Sequence, residues 1–315
     1  MRFFGLGFDW RKSKAHWHLL AQFLREHTLD DFARGDRWRL VLKESPSKAV
    51  KRFVKEGLVA RADLASQLAY RLKATEIKDM LRERGLKVSG RKEDLIARLI
   101  EADPAGAKQA AGRLEVFVAT EAGRALAEQY VAQERQKREA AELAVMKALE
   151  AEDYEEACRV VSAFEEQQVF PRAIPDDQVW VLRSIFSCRP KILAGLRKEA
   201  WTPLRMAAAQ SALWGTQTSR WAPKNIETGI HLDPATAARM ILFWVYNQRQ
   251  LEILRGFPDP VTAVQIVSIQ DGNTCLACRE LHGREYRLAR VPELPYPNCT
   301  SRMGCRCMIA PAAAH

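Results

Sequence analysis

Apolar residues recur at helical spacing along most of this chain. In "SPSKAVKRFVKEG", Ser45 is a natural N-cap, Pro46 takes the first helical position, Ala49, Val50, Phe53 and Val54 form one apolar stripe, and Gly57 ends the pattern. "WHLLAQFLREH" before it and "ARADLASQLAYRL" after it read the same way, so residues 1–71 predict a helical N-terminal domain. Leu114 to Tyr130, "LEVFVATEAGRALAEQY", breaks this period: a short strand precedes a helix capped at Thr120, a pattern that fits the final piece of a winged-helix-like unit. From Val131 to Phe170 nearly every residue is a good helix former, which predicts a helical hairpin within a connector over 104–175. "PRAIP", residues 171–175, is the clearest boundary, and 176–260 returns to helical periodicity. Trp180, Trp201, Trp214, Trp221 and Trp244 are spread along that helical segment, and at such spacing they belong to a core or an interface. The expected class is mainly α, and a length of 315 residues predicts several domains.

The sharpest local pattern covers residues 72–103, "LKATEIKDMLRERGLKVSGRKEDLIARLIEAD". Ile77, Met80 and Leu81 share one face of a first helix that stops at Gly85, Leu86 to Val88 cross in extended form, and Leu95, Ile96 and Leu99 line a second helix. Ser89 and Gly90 form a permissive turn, and Arg91 and Lys92 stand at the mouth of the second helix, where the dipole favours negative charge. Free N–H groups beside two cations make a phosphate cradle, so an external anion would resolve the conflict.

This segment resembles the SAP domain, a helix-extended-helix module. The resemblance rests on Gly85-Leu86, Ser89-Gly90, Lys92 and Leu95-Ile96-Ala97-Arg98-Leu99. It implies binding to duplex DNA, often AT-rich, through the basic start of the second helix. Lys78, Lys87, Ser89, Gly90, Arg91, Lys92 and Arg98 are the candidate contacts. Eight Lys/Arg against seven Asp/Glu over residues 72–103 predict weak binding by the module alone.

Charge is unevenly spread over the rest of the chain. The net charge is +10, but residues 1–60 hold 13 Lys/Arg against 7 Asp/Glu, residues 189–307 hold 16 against 9, and residues 130–176 hold 6 against 11. Two basic ends flank an acidic middle, which favours a polyanionic partner for the ends and leaves the middle helices open to protein partners. The N-terminal stretch lacks the continuous apolar run of a secretion signal, and "MILFWVY", 240–246, is far shorter than the roughly 20 residues of a membrane span. A cytoplasmic, membrane-free protein is expected.

Five of the seven cysteines lie between Cys275 and Cys307. Cys275 and Cys278 form a CxxC pair, Cys299 follows, and Cys305 and Cys307 complete the set, the spacing of a zinc-ribbon or treble-clef-like site. Residues 261–315 are therefore expected to form a small α+β domain around structural zinc. Four of the five thiols serve as ligands, with either Cys305 or Cys307 as the fourth and His282 as an alternative. Two disulfides in an oxidised chain are the competing reading. Cys158 and Cys188 read as ordinary buried thiols.

The same segment resembles the C-terminal tail of phage Mu-type head morphogenesis (minor capsid) proteins, through Ser268 to Asp271, Cys275, Cys278, Gly283, "LPYPNC" and Cys305-Arg306-Cys307. "TSRMG" intervenes before that ending, and Tyr296 stands where the family commonly has His. This resemblance implies prophage or mobile-element ancestry. Three functions follow in order of preference: a non-enzymatic DNA-binding protein of bacterial or prophage origin, a head-assembly or minor capsid component, and a nucleic-acid-processing enzyme. The chain lacks paired carboxylates followed by Glu-x-Lys, a His-Asn-His set and a phosphate-binding glycine loop. His231 and Asp233 precede Pro234 and read as a helix entry.

Overall fold

The computed structural model describes residues 8–257 and 261–312, and the chain divides into two compact units, 1–138 and 139–315. In the first unit, helix α1 (Lys14–Gln22) leads to strand β1 (His27–Thr28), then to helices α2 (Asp30–Ala33), α3 (Arg37–Leu42) and α4 (Pro46–Lys55), and to strand β2 (Val59–Arg61). Helices α5 (Leu64–Arg71), α6 (Ala74–Glu83), α7 (Lys92–Ala102) and α8 (Pro104–Ala111) follow before strand β3 (Val116–Ala119). Strand β3 then lies between β1 and β2, antiparallel to both, with Phe117 opposite His27 and Ala119 opposite Val59.

The expected caps are present and set these elements. The Ser45 hydroxyl accepts from Lys48 N–H at 3.3 Å, and Thr120 Oγ1 accepts from Gly123 N–H at 3.1 Å at the start of helix α9 (Glu121–Glu150). Gly123 is required there: a Cβ would sit 1.8 Å from the Leu58 carbonyl oxygen. Trp10, Leu19, Leu20, Phe23, Val50 and Phe53 are buried in the N-terminal unit, with Trp10 edge-on to Phe53 at 5.0 Å.

The chain is organised differently from the sequence expectation. Because β3 pairs with strands from residues 27–61, the segment 104–120 completes the N-terminal unit and is not connector, and the unit contains a sheet as well as helices. The helix-extended-helix segment 72–103 does not close its core alone. Its core joins Ile77, Leu81, Leu95, Ile96 and Leu99 to Leu68 of α5 and to Ala107 and Ala111 of α8.

The second unit holds the end of α9, the Tyr154–Glu166 helix (α10), then α11 (Gln178–Ser187), α12 (Lys198–Trp214) and α13 (Pro234–Arg255). The turn between α9 and α10 passes through Glu152 at φ 56°. Strand β4 (Ala263–Val267), helix α14 (Leu276–Leu281), β5 (Glu285–Arg287) and β6 (Met308–Pro311) form the C-terminal part, with β4 central and antiparallel to both neighbours. One hydrophobic core runs from Val145 through α11, α12 and α13 to Val264, Ile266 and Ile309, so 176–260 and 261–315 share an interior instead of forming separate domains. Trp201 and Trp214 are buried in it, and Trp180, Trp221 and Trp244 pack against it, as their spacing predicts.

Candidate nucleic-acid interface and metal centre

The helix-extended-helix segment presents its cations unequally. Lys87, Ser89, Gly90 and Arg91 are exposed, Lys78 is half-buried, and among the described residues no carboxylate pairs with Lys78, Lys87 or Arg91. Gly90 sits at φ 128°, in the region that favours glycine. Arg98 reaches across the turn, and its Nη1 donates to the carbonyls of Lys87 at 2.6 Å and Ser89 at 3.3 Å. Arg98 therefore holds the extended segment in place.

Lys92 departs from the expected role. Its ammonium donates to the Ala69 carbonyl of α5 at 2.5 Å, satisfying one of the acceptors left open at that helix end. The helix mouth is also not short of negative charge. Glu93 and Asp94 occupy the first turn of α7, and Asp94 accepts from Arg91 N–H at 3.0 Å. What remains available to an external anion is the exposed pair Lys87 and Arg91 on either side of the Ser89-Gly90 turn.

The module is tied to the rest of its unit at one corner. Tyr70 on α5 donates its hydroxyl to Asp31 at 2.8 Å, and the same carboxylate accepts from Thr28 N–H at 2.8 Å and meets His27 Nδ1 at 3.1 Å. Burial pushes the Asp31 carboxyl up, but these hydrogen bonds outweigh it and leave the group below its ordinary value. At the other end, Arg84 grips Asp103 at 2.6 Å, and Asp103 caps α8 by accepting from Gly106 N–H at 2.8 Å.

In the second unit, the fold brings all five C-terminal cysteines together. Cys275 caps α14 and Cys278 lies within it, Cys299 follows a loop, and Cys305 and Cys307 immediately precede β6. The sulfurs of Cys275, Cys278 and Cys299 lie within 4.8 Å of one another, as do those of Cys278, Cys305 and Cys307. Cys275 is 3.7 Å from Cys299 and Cys278 is 3.9 Å from Cys305, sulfur to sulfur, and all are free thiols. Four sulfurs bound at about 2.3 Å to a tetrahedral zinc ion stand about 3.8 Å apart. A hollow of about 10 Å³, enough for one atom-sized occupant, is lined by Cys275, Cys278, Cys299 and Cys307.

Backbone N–H groups point at several of these sulfurs. Tyr296 N–H donates to Cys305 Sγ at 3.1 Å, Cys275 accepts from the N–H groups of Cys278 and Thr300, and Cys299 accepts from Ser301. Burial raises the Cys275 thiol, but those donors outweigh it and bring it down to about 7. Cys278 is pushed the other way by its close neighbours Cys299, Cys305 and Cys307, since adjacent thiolates repel one another unless a cation lies between them. His282 is not part of this group: it is exposed, and its Nδ1 accepts from Ser268 N–H at 3.1 Å. Arg306 clamps the loop from outside through a bidentate pair with Asp271 at 2.7 and 2.6 Å, which holds the Asp271 carboxyl well below the usual carboxylate range. Gly304, at φ 68°, lets the loop approach α13, where a Cβ would meet Met240 at 2.8 Å. Cys158 and Cys188 lie elsewhere, and burial raises both thiols to about 11, as expected of inert cysteines.

Comparison with known proteins agrees on the first site. The SAP domain family matches residues 71–104, so the chain carries a SAP domain, a nucleic-acid-binding module. No curated protein and no solved structure matches the chain, and nothing supports the likeness of the cysteine segment to phage head-morphogenesis tails. The cysteine cluster can hold a metal ion, and among the described residues no helix is long and apolar enough to cross a membrane.

Proposed function

We propose that the protein binds duplex DNA without altering it chemically. The SAP domain makes phosphate contacts through Lys87 and Arg91 on either side of the Ser89-Gly90 turn, with Lys78 of α6 as a further candidate contact, and Arg98 acts as the positioning residue. The carrying observation is that this exposed pair has no carboxylate partner while the neighbouring Lys92 and Arg98 are spent on backbone carbonyls. Fluorescence anisotropy of the full chain against AT-rich duplex, GC-rich duplex and single strands tests it. Preference for duplex, strongest for AT-rich sequence, is expected; equal binding to single strands would contradict the duplex reading.

The second element of this reading is structural zinc in the C-terminal part, held by Cys275, Cys278, Cys299 and Cys305 with Cys307 as the fifth thiol beside them. The N–H donors on Cys275, Cys299 and Cys305 support this set, because such hydrogen bonds stabilise thiolates. When bound, zinc would supply a crosslink that fixes the loops of 268–307 to the shared core, a folding contribution and not a reaction. Elemental analysis of reduced, purified protein is expected to give one zinc per chain, and a ratio near zero would remove this element.

A further inference from the structure

We propose that α4 is a second DNA-contacting element: the N-terminal unit is a winged helix whose wing has been expanded into the SAP module, and α4 is its reading helix. The proposal rests on the DNA-binding reading above for the nature of the ligand, but on different residues.

Helices α3 and α4 are joined by only Lys43, Glu44 and Ser45, with Lys43 in the left-handed region at φ 56°, the short turn of a helix-turn-helix pair. The sheet closes this pair in the order β1-β3-β2. Strands β2 and β3 would form an ordinary hairpin wing, but residues 62–115 are inserted between them, and these contain the matched SAP segment.

The surface of α4 supplies the chemistry. Its sequence, PSKAVKRFVK, carries four cations and no carboxylate. Ala49, Val50 and Phe53 face the core, while Lys48, Lys51 and Lys55, at i, i+3 and i+7, are exposed along one side. Acids that could neutralise this stripe are already engaged. Glu44 accepts from Arg52 at 2.8 and 3.0 Å and meets His16 at 2.8 Å, leaving only a longer 3.6 Å approach by Lys48. Glu56, just past the helix, accepts from Trp10 Nε1 at 3.0 Å and Arg11 at 2.8 Å. Among the described residues, Lys51 and Lys55 have no carboxylate partner. A bare basic face on the second helix of a helix-turn-helix pair fits the major groove of duplex DNA, whose width of about 12 Å admits one helix.

Covalent attachment of the two elements matters for affinity. Two weak contacts on one body raise each other's effective concentration, which compensates a SAP segment of nearly balanced charge. The Tyr70 to Asp31 bond fixes the inserted module against the corner formed by β1 and α2.

The test uses the full chain and a duplex in a salt series, comparing wild type with Lys48→Gln/Lys51→Gln/Lys55→Gln and with Lys87→Ala/Arg91→Ala. Each lost phosphate contact lowers the slope of log K against log salt by about 0.9, so the α4 triple variant is expected to lose about 2 to 3 in slope and at least about tenfold in affinity. Protection of guanine N7 from methylation, a major-groove signal, is expected to disappear with it. An unchanged slope in the α4 variant, with loss in the SAP variant, overturns the α4 proposal and leaves the SAP reading standing. Loss in the α4 variant alone keeps α4 and overturns the SAP reading, and no binding by wild type overturns both. Should the triple variant melt early, single Lys51→Gln and Lys55→Gln variants decide, each expected to lower the slope by about 1.

Discussion

Lys92 and Arg91 are adjacent cations that the structure assigns to different work, and a single substitution separates them. In Lys92→Met the aliphatic stem is largely kept while the donor to the Ala69 carbonyl is lost. That carbonyl lies in the last turn of α5, so its loss of a partner leaves an open acceptor and removes a cation from a helix C-terminus. A hydrogen bond from a charged donor contributes about 1.5–3 kcal/mol when buried, and partial exposure of Lys92 reduces this to about 1–2 kcal/mol. For a unit of this size the loss corresponds to a fall of about 3–8 °C in its melting temperature. Calorimetry, with hydrogen exchange at α5 and α7 as the local readout, measures it, and anisotropy in a salt series measures DNA binding in parallel. Destabilisation with an unchanged salt slope is expected. A slope reduced by about 0.9 with an unchanged melting temperature would show that Lys92 contacts phosphate and would refute the assignment.

Gly123→Ala places a methyl group 1.8 Å from the Leu58 carbonyl, so it is expected to destabilise the N-terminal unit by about 3 kcal/mol, read from denaturant midpoints. At the metal centre, Cys305→Ser is expected to lose zinc, while Cys307→Ser retains one equivalent by elemental analysis; the reverse outcome would make Cys307 the fourth ligand. The lowered Asp31 carboxyl predicts a pH effect: its stabilising contribution is fully present above the unfolded value of about 3.9 and is lost as pH falls toward the lower folded value. The melting-temperature advantage of wild type over Asp31→Asn is therefore expected to shrink below about pH 4, and an advantage that grows there would contradict the sign.

Much of the molecule was readable from residue order because it depends on local chemistry. Ser45-Pro46, Thr120 and Asp233 cap helices where their positions predict, and the apolar spacing of Ile77, Leu81, Leu95 and Leu99 describes a real core. Side-chain direction was not readable. Nothing in "SGRKED" says that Lys92 turns back to α5, although Asp94, three residues after Arg91, is a visible capping signal that already answers the charge conflict. Long-range pairing was hidden: the strand near Leu114 to Ala119 was legible, but its partners β1 and β2 lie across intervals far longer than any turn. The cysteine cluster was legible from spacing, but the separation of His282 from it depends on a backbone contact with Ser268 that spacing does not encode.

The most direct test of the central claim is the salt dependence of duplex binding by full-length wild type and Lys87→Ala/Arg91→Ala. Removal of two phosphate contacts is expected to lower the slope by about 1.8 and to weaken binding at low salt while leaving the melting curve unchanged, because both side chains are exposed and unpaired. Identical slopes and affinities for the two proteins would contradict DNA recognition through the SAP turn.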